Sequence, residues 1–444
     1  MDPLRHPPTT ARPLLRHLLL LLSALALIAL AAETRAEQRD ADPVRAMARA
    51  ARPLADLRHL ERAVGAATVV GVGEATHGSS EFFTAKHRLF RHLVEHRGFT
   101  TYALEANWST GLRLNDYVLH GRGDPRTLMR EEFQESYLIW HTREHLDLIR
   151  WMRRHNLRHP ERPVQFMGND LAYAGPRLFD AVTAHVARHH PRLLPEVERR
   201  YRASRPTGGV HETIKARLAL PLGERRAMAR DVRAVLDLLE RRHTGADARR
   251  HAFVLHHARA IVQNATEFAY DLDDPGQVGE AMRYRDRIMA ENTLWWQRET
   301  GHRILVSAHN GHIRLKTSDP AHHPVVQGTY LREAIGADYV AVGFTFGRGS
   351  FNALDLTDPG ESLGTFRVGP PAPGSHEYTL ERVSPRDYVL DLRTAPVAAR
   401  DWLAVERPAR DIGNAWPSDP VPLRLLGSYD VLVHLHRVRA AHRL

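Results

Sequence analysis

The chain has 444 residues, 43% of them hydrophobic and 26% charged, so it encodes a globular protein with two domains or with one large domain that carries an insertion. It contains no cysteine, which excludes thiolate catalysis, cysteine zinc sites and iron–sulfur clusters and leaves His, Asp and Glu as metal ligands. The formal charge is +10, but the arginines alternate with acids along helical segments and no nucleic-acid-binding motif accompanies them. We therefore predict no nucleic-acid partner.

The first 36 residues have the features of an export signal. Arginines precede an apolar run from Leu18 to Ala32, and small residues around Ala36 have the spacing that a signal peptidase reads. Because a bilayer span needs about 20 residues, this run is short for a transmembrane helix. We predict a signal peptide over residues 1–36 and a periplasmic or secreted protein. An uncleaved N-terminal anchor is the alternative, and no other membrane partner is expected.

Residues 37–67 follow as a polar lead-in and a helix. Leu54, Leu57 and Leu60 have the spacing of one helical face. The main domain is then predicted over residues 68–440.

Six short apolar runs in this domain read as strands. They are Thr68–Gly73, Thr100–Leu104, Val164–Met167, Ile304–Ser307, Tyr339–Phe344 and Val431–Leu435. Most are continuous rather than alternating, which is typical of parallel strands buried on both faces. A helical pattern from Glu81 to Arg97, with Gly98 after it, joins the first two. The sequence therefore predicts an α/β fold with a mainly parallel central sheet flanked by helices.

The middle of the chain, residues 176–300, has helical patterns and no strand-like run. We predict a large helical insertion between the two halves of the sheet.

Polar residues follow four of the predicted strands. In open α/β sheets, ligands bind beyond the carboxyl ends of the strands, so these positions share one rim. They are Glu74 and His77 after the first run, Glu105 after the second, Asp170 after the third, and His309 and His312 after the fourth. A single acid at a strand end usually serves a turn, but glutamate is a poor turn former and here it recurs beside histidine. The coincidence predicts an acid–base site.

The first strand end favours a general base. Gly71 and Gly73 allow the strand to lie close to its neighbours or to a ligand. Gly78 frees the backbone just before Ser79 and Ser80, which can cap the helix that follows. His77 would then lie at the N-terminus of that helix, where the dipole disfavours the imidazolium and keeps the ring neutral. Glu74 and Glu105 could orient this ring or hold a water.

Several motifs together resemble the erythromycin esterase family, over roughly residues 50–440. They are Gly73-Glu74-Ala75-Thr76-His77-Gly78, Ala103-Leu104-Glu105-Ala106-Asn107-Trp108, Trp140 with Glu144, Gly168-Asn169-Asp170-Leu171, Arg285-Asp286-Arg287 through Asn292, Ala308-His309-Asn310-Gly311-His312, and Gly343 through Phe351. Each motif alone is weak, but the ordered set is specific. The resemblance implies an α/β sheet with a helical insertion, and a hydrolase that opens a macrolide lactone by water attack.

The resemblance also implies roles for residues at the matching positions. By this resemblance, His77 matches the position of the general base. Glu74, Glu105 and His309 match positions around the water that attacks the substrate. A basic residue on the first helix corresponds to Lys86 or Arg88. The remaining candidates for substrate binding are His312, Asn107, Asp170 and Trp140.

The expected reaction is hydrolysis of a small-molecule ester or lactone, without cofactor, metal or covalent intermediate. His77 would deprotonate a water, and His309 would stabilise the oxyanion or protonate the leaving alkoxide. No G-x-S-x-G elbow supports a serine nucleophile.

Two alternatives stay open. The same Glu and His residues could bind zinc or manganese in a metal-dependent esterase or peptidase. A ligand-binding protein without turnover could instead use Trp108, Trp140, Trp295 and Trp296 to line an apolar cleft.

Overall fold

A computed structural model describes residues 42–242, 248–360 and 362–444. The predicted signal peptide, residues 1–36, lies outside the described residues. Within the described ranges, no helix is both long and apolar enough to cross a membrane.

The centre of the molecule is a ten-stranded sheet, with two further short strands paired to each other. The strands are β1 (Arg52–Pro53), β2 (Val69–Val72), β3 (Phe99–Asn107), β4 (Gln165–Asp170), β5 (Arg303–Ser307), β6 (Tyr339–Asp355), β7 (Leu363–Val368), β8 (Tyr388–Asp391), β9 (Arg407–Ala409), β10 (Ala415–Trp416), β11 (Val421–Leu423) and β12 (Val431–Val438). The main path of the sheet is β1-β8-β12-β6-β2-β5-β3-β4, and β7 and β10 pair with β6.

The six strands from β12 to β4 along this path are all parallel to their neighbours. They are the six strands that the apolar runs predict, which confirms the fold class. The main difference in extent is β6, which continues to Asp355 and pairs antiparallel with β7 beyond Gly349. Antiparallel β8 and β1 extend the sheet past β12.

Helices cover the sheet. They are α1 (Pro43–Ala50), α2 (Arg58–Val64), α3 (Ser80–Arg97), α4 (Trp108–His120), α5 (Pro125–Glu132), α6 (Arg143–Arg158), α7 (Pro176–His189), α8 (Leu194–Tyr201), α9 (Val210–Leu218), α10 (Leu222–Glu240), α11 (Ala248–Glu267), α12 (Pro275–Thr300), α13 (Asn310–Ile313), α14 (Gln327–Ile335), α15 (His376–Leu380) and α16 (Val397–Leu403). A 3₁₀ helix, Glu135–Trp140, precedes α6.

Alternate residues of the central strands face two separate hydrophobic cores. Val69 packs in the core that contains α7, α10, α11 and α12, whereas Val70 packs in the core that contains α2, α3 and α6. Both residues have no exposed surface. Because each face of a strand needs apolar side chains, the strands read as continuous hydrophobic runs.

The helix α3 ends where the sequence predicts. Gly98 has φ of 66° and donates its backbone N–H to the carbonyl of Leu93, a left-handed cap that favours glycine. Ser79 is the N-cap residue, but its hydroxyl donates to the carbonyl of Ser350 instead of capping the helix.

The prediction of one helix that contains Leu54, Leu57 and Leu60 is wrong in its extent. α1 ends at Ala50, β1 takes Arg52–Pro53, and only Leu60 of the three leucines lies in a helix, α2. Pro53 pairs with β8 through the antiparallel ladder of β1, and this pairing overrides the helical spacing.

Between Pro176 and Thr300 the described residues form helices and their connections, with no strand. This segment enters after β4 and returns to β5, so it is inserted between strands of the same sheet.

Two helical glycines test how closely α4 packs on the sheet. A Cβ on Gly111 would collide with the backbone of Gly168 in β4, whereas a Cβ on Gly223 in α10 would meet nothing within 4 Å. We expect Gly111→Ala to lower the free energy of unfolding by about 1–3 kcal/mol, because overpacked backbone must move. Gly223→Ala should raise it by up to about 1 kcal/mol through helix propensity. Urea unfolding checks both, and equal effects of the two variants would contradict the close packing.

Candidate active site

A cleft of about 510 Å³ opens at the carboxyl end of the central strands. Its lining includes five residues that the sequence singles out, namely His77, Glu105, Trp140, His309 and His312. The structure therefore brings residues from three strand ends and from the 3₁₀ helix to one point.

Glu74 is the buried centre of the first group. Its Oε1 lies 2.7 Å from Nδ1 of His77, and its Oε2 accepts a hydrogen bond of 2.5 Å from Nζ of Lys86. Glu74 and Lys86 have no exposed surface. Lys86 also donates to the hydroxyl of Ser307 and to the carbonyl of Ala308. The carboxylate thus fixes the His77 ring and directs its other nitrogen, Nε2, away from Glu74.

The neutral state of His77 has a different cause from the predicted one. His77 lies two residues before the N-cap of α3, so the helix dipole is not its main influence. Burial lowers the pKa of His77, and the nearby carboxylates of Glu105 and Glu74 oppose this shift. Burial alone would favour the neutral form of Glu74, yet Lys86 and His77 hold the pKa of that carboxyl below its ordinary value.

His77 is also packed between two rings. The ring of Trp140 meets it edge-on at 4.8 Å between centroids, and the ring of His309 lies 5.0 Å away. The indole N–H of Trp140 donates to the carbonyl of Glu105. These contacts restrict the orientation of the imidazole.

Glu105 joins the strand end to the rest of the cleft. Its Oε2 accepts a hydrogen bond of 2.8 Å from the backbone N–H of His309, and its Oε1 accepts one of 3.0 Å from Nη2 of Arg285. Nε2 of His312 lies 3.2 Å from the same Oε1. Although burial raises the pKa of Glu105, His312, His77 and Arg285 hold it well below its ordinary value.

His312 lies between two carboxylates, those of Asp286 and Glu105. Its Nδ1 lies 2.8 Å from Oδ1 of Asp286, and the other oxygen of Asp286 pairs with His323. Burial and Arg285, whose Nη1 lies 2.9 Å from Nε2 of His312, lower the pKa of His312, but Asp286 and Glu105 outweigh them and raise this pKa to about 10. The raised pKa favours the imidazolium form of His312 at neutral pH, beside the guanidinium of Arg285.

His309 has one hydrogen-bonded ring nitrogen and one that forms no hydrogen bond within the described residues. Its Nδ1 accepts the backbone N–H of Gly311 at 3.1 Å, and its Nε2 lies 3.1 Å from Oδ1 of Asp411. Arg314 pairs with the other oxygen of Asp411 at 3.2 Å. Nδ1 is therefore occupied, whereas Nε2 has only the ion-pair contact with Asp411.

Gly73 explains why the His309 loop lies so close to His77. A Cβ at Gly73 would collide with the side-chain oxygen of Asn310. That side chain bonds both backbone groups of Phe344 in β6, at 3.0 Å and 2.7 Å. The glycine thus leaves room for the side chain that attaches the loop to the sheet.

Four residues predicted to bind substrate lie outside the cleft lining. Asn107 is fully buried and accepts the backbone N–H of Tyr173. Asp170 is fully buried and accepts hydrogen bonds from Tyr137 and Arg285, so it positions Arg285. Lys86 is the basic residue of α3 at this site and acts through Glu74, whereas Arg88 is exposed.

The apolar cleft suggested for a binding protein is absent at Trp108, Trp295 and Trp296. These rings pack against one another, with centroids 5.7 Å apart in both pairs that include Trp108. None of the three lines the cleft, so tryptophan contributes to it only through Trp140.

Comparison with known proteins shows the family of this chain. The model of the erythromycin esterase family matches residues 94–438. The chain belongs to the erythromycin esterase family. It is 26% identical over 355 residues to the erythromycin esterase type II of Escherichia coli, which covers 73% of the chain and 80% of that relative.

Two solved structures share the fold. A crystal structure of a Bacillus cereus protein is 26% identical, with a TM-score of 0.81 over 91% of this chain and 99% of its own. A mutant of the erythromycin esterase EreC in its open conformation is 19% identical, with a TM-score of 0.66 over 86% of this chain and 94% of its own. Membership of the erythromycin esterase family supports a hydrolase of ester or lactone bonds.

Several residues that line or support the cleft of this esterase-family chain carry no signal that strand-end reasoning could use. Arg285, which lines the cleft, and Asp286, which holds His312, lie inside the long helix α12, and only their motif indicated them. Asp411 follows β9, a strand that no apolar run predicts. Tyr137 lies in a 3₁₀ helix. These residues reach the cleft through contacts between distant parts of the chain, and a local sequence pattern does not contain such contacts.

Glu267, the last residue of α11, also lines the cleft. Its Oε2 is buried and makes no hydrogen bond within the described ranges. Burial raises the pKa of Glu267 to about 8, with a further increase from Asp170 and an opposing effect of Arg285. At neutral pH the carboxyl is therefore protonated and can donate a hydrogen bond into the cleft.

We expect Glu267 to produce an alkaline change in the pH profile of kcat/KM. As pH rises through about 8, the neutral carboxyl of Glu267 becomes an anion near Asp170, and the binding of substrate in the cleft should change. Glu267→Gln keeps the neutral form, so the inflection near this pH should disappear while activity at neutral pH persists. Glu291→Gln, on an exposed part of α12, is the control. An unchanged inflection in Glu267→Gln would contradict the assignment.

Proposed function

We propose that this chain is a carboxylic ester hydrolase that cleaves a lactone of the macrolide type, with His77 as the general base. The observation that carries the proposal is the buried pair of Glu74 and His77 at the edge of the cleft. Because Glu74 occupies Nδ1, the nitrogen available to a water in the cleft is Nε2. A neutral imidazole held by a carboxylate is the arrangement that proton abstraction from water requires.

In the proposed reaction, Nε2 of His77 takes a proton from water as the water oxygen attacks the ester carbonyl carbon. Glu74 stabilises the imidazolium that forms. The positive charges of His312 and Arg285 stabilise the oxyanion of the tetrahedral intermediate. When the intermediate collapses, the carbon–oxygen bond of the alcohol breaks and the imidazolium returns its proton to the leaving alkoxide.

His309 has a positioning role in this proposal rather than that of acid or oxyanion donor. Its Nδ1 accepts the backbone N–H of Gly311, its Nε2 lies beside the carboxylate of Asp411, and its backbone N–H holds Glu105 in place. Its ring packs beside His77 and limits the space for the attacking water.

The macrolide substrate rests on the name of the Escherichia coli relative. The cleft volume of about 510 Å³ is within the range of sites for drug-sized ligands. Lining residues from the inserted helices, Glu267, Met282 and Arg285, are expected to distinguish substrates.

The metal-dependent alternative has little support from the predicted ligand set. Lys86 donates to Glu74 at 2.5 Å, so an ammonium stands where a metal would have to bind that carboxylate. At the cleft, the described residues with the spacing of metal ligands are Asp286, His312 and His323, and the two histidines belong to the cleft lining.

Purified protein assayed against macrolides, simple lactones and simple esters tests the proposal. We expect turnover that His77→Asn lowers by about 10²–10⁴-fold, because the general base is lost. His159→Asn, at an exposed position after α6, should have no effect. Activity should persist after dialysis against a chelator. Equal turnover by His77→Asn would exclude the proposed base, and metal-restorable loss would favour the alternative.

The pH profile tests the role of Glu74. Since the folded pKa of His77 lies below its ordinary value of 6.5, the base form persists at mildly acid pH and kcat/KM should fall only below that value. Glu74 raises the pKa of His77, so Glu74→Gln should move the acid limb to still lower pH. The plateau should fall by up to about 10⁴-fold, because an amide stabilises the wrong tautomer.

The double variant Glu74→Gln with Lys86→Met removes both buried charges and controls for an unpaired ammonium. Circular dichroism establishes whether each variant is folded. An acid limb that stays in place in the folded variants would contradict the coupling of Glu74 to His77.

A further inference from the structure

A second cluster of histidine and glutamate side chains lies outside the cleft lining. His434 and His436 are two residues apart on β12, so their side chains leave the strand on the same face. Glu381 follows α15 and reaches this face. One potential ligand atom from each of these three residues lies within 4.8 Å of the other two.

One pair in the cluster has unsatisfied polar atoms. Nε2 of His434 and Oε1 of Glu381 are 3.4 Å apart, and within the described residues neither forms a hydrogen bond. The side chain of His434 has no exposed surface. A buried imidazole nitrogen without a partner is costly, so the site favours a ligand between the two atoms.

The 3.4 Å separation fits a shared metal ion. With zinc–nitrogen and zinc–oxygen bonds of about 2.0–2.2 Å, tetrahedral geometry separates neighbouring ligand atoms by roughly 3.3–3.6 Å. A direct hydrogen bond between the same two atoms would be shorter, about 2.7–3.2 Å.

The ring nitrogens that would not bind a metal are held by the protein. Nδ1 of His434 lies 2.9 Å from the hydroxyl oxygen of Thr345, its neighbour on β6. Nε2 of His436 donates to the carbonyl of Ser384 at 2.7 Å. Such outer contacts fix the tautomer and orientation of metal-binding histidines.

The tautomer of His436 that donates from Nε2 has a lone pair on Nδ1. This Nδ1 lies 3.3 Å from Oδ1 of Asp387, an arrangement that a cation between or beside them would relieve. A neutral imidazole is the form that binds a metal.

Gly347 provides space for the cluster. It lies beside His436 in the parallel pairing of β6 with β12, and a Cβ at this position would collide with Oε1 of Glu381. Glu381 and His436 are partly exposed, with side-chain exposures of 25% and 22%, so an ion can enter from solvent.

We propose that Glu381, His434 and His436 bind one divalent transition-metal ion, tested with Zn²⁺, at a site that stabilises the end of β12. Two imidazoles and a carboxylate form a common donor set for Zn²⁺ in proteins. The proposal is independent of the proposed ester hydrolysis, because none of the three residues lines the catalytic cleft.

Zn²⁺ binding to the chelator-treated full chain tests the proposal, by isothermal titration calorimetry and thermal unfolding. We expect one equivalent to bind and the Tm to rise with the Zn²⁺ concentration. Glu381→Gln and His436→Asn should each lose this equivalent and the Tm increase. Gly347→Ala should weaken binding by displacing Glu381. Visible absorption of tetrahedral Co²⁺, lost in the same variants, would show that the three side chains are ligands.

His323→Asn is the matched control, because His323 belongs to the group beside the cleft that could also hold an ion. It should keep the Zn²⁺ equivalent and the Tm increase. If His323→Asn loses binding while Glu381→Gln and His436→Asn keep it, the ion belongs to the cleft and the proposal is wrong. The same conclusion follows if the parent chain binds no Zn²⁺.

Discussion

The site depends on one buried carboxylate, Glu74, which must be paired in order to remain charged. Lys86 on α3 pairs with one oxygen of this carboxylate, and the other oxygen orients the ring of His77. Removing one partner of such a buried pair typically costs about 3–5 kcal/mol, so the three side chains are bound to one geometry. This constraint determines where α3 begins relative to β2 and which nitrogen of His77 faces the cleft.

Around this pair, charges alternate in sign from one strand end to the next. Glu105 meets Arg285 and His312, and these in turn meet Asp170 and Asp286. Each buried ion therefore has an opposite neighbour, and the network holds cations facing the cleft without leaving them unpaired. A site of this kind offers preorganised positive charge to a developing oxyanion.

The inserted helices contribute chemistry as well as cover. α12 supplies Arg285 and Asp286, and α11 supplies the protonated Glu267, whereas Glu105 lies in β3 and Glu74 follows β2. The proposed base and its carboxylate thus lie in the connection between β2 and α3, while the residues expected to contact different substrates lie on the insertion. This division allows the substrate to vary with the inserted segment while the base remains fixed.

The sequence by itself determined the six parallel strands, the helix α3 and the polar residues at the strand ends, because burial on both faces and helix capping are local patterns. Short β1 and β8 carry too few residues for such a pattern. Only the tertiary structure decided that Lys86 rather than Arg88 meets Glu74, that Asp170 supports Arg285, and that burial keeps His77 neutral. These outcomes depend on which distant side chains share a low-dielectric space, and that is a property of the packed molecule.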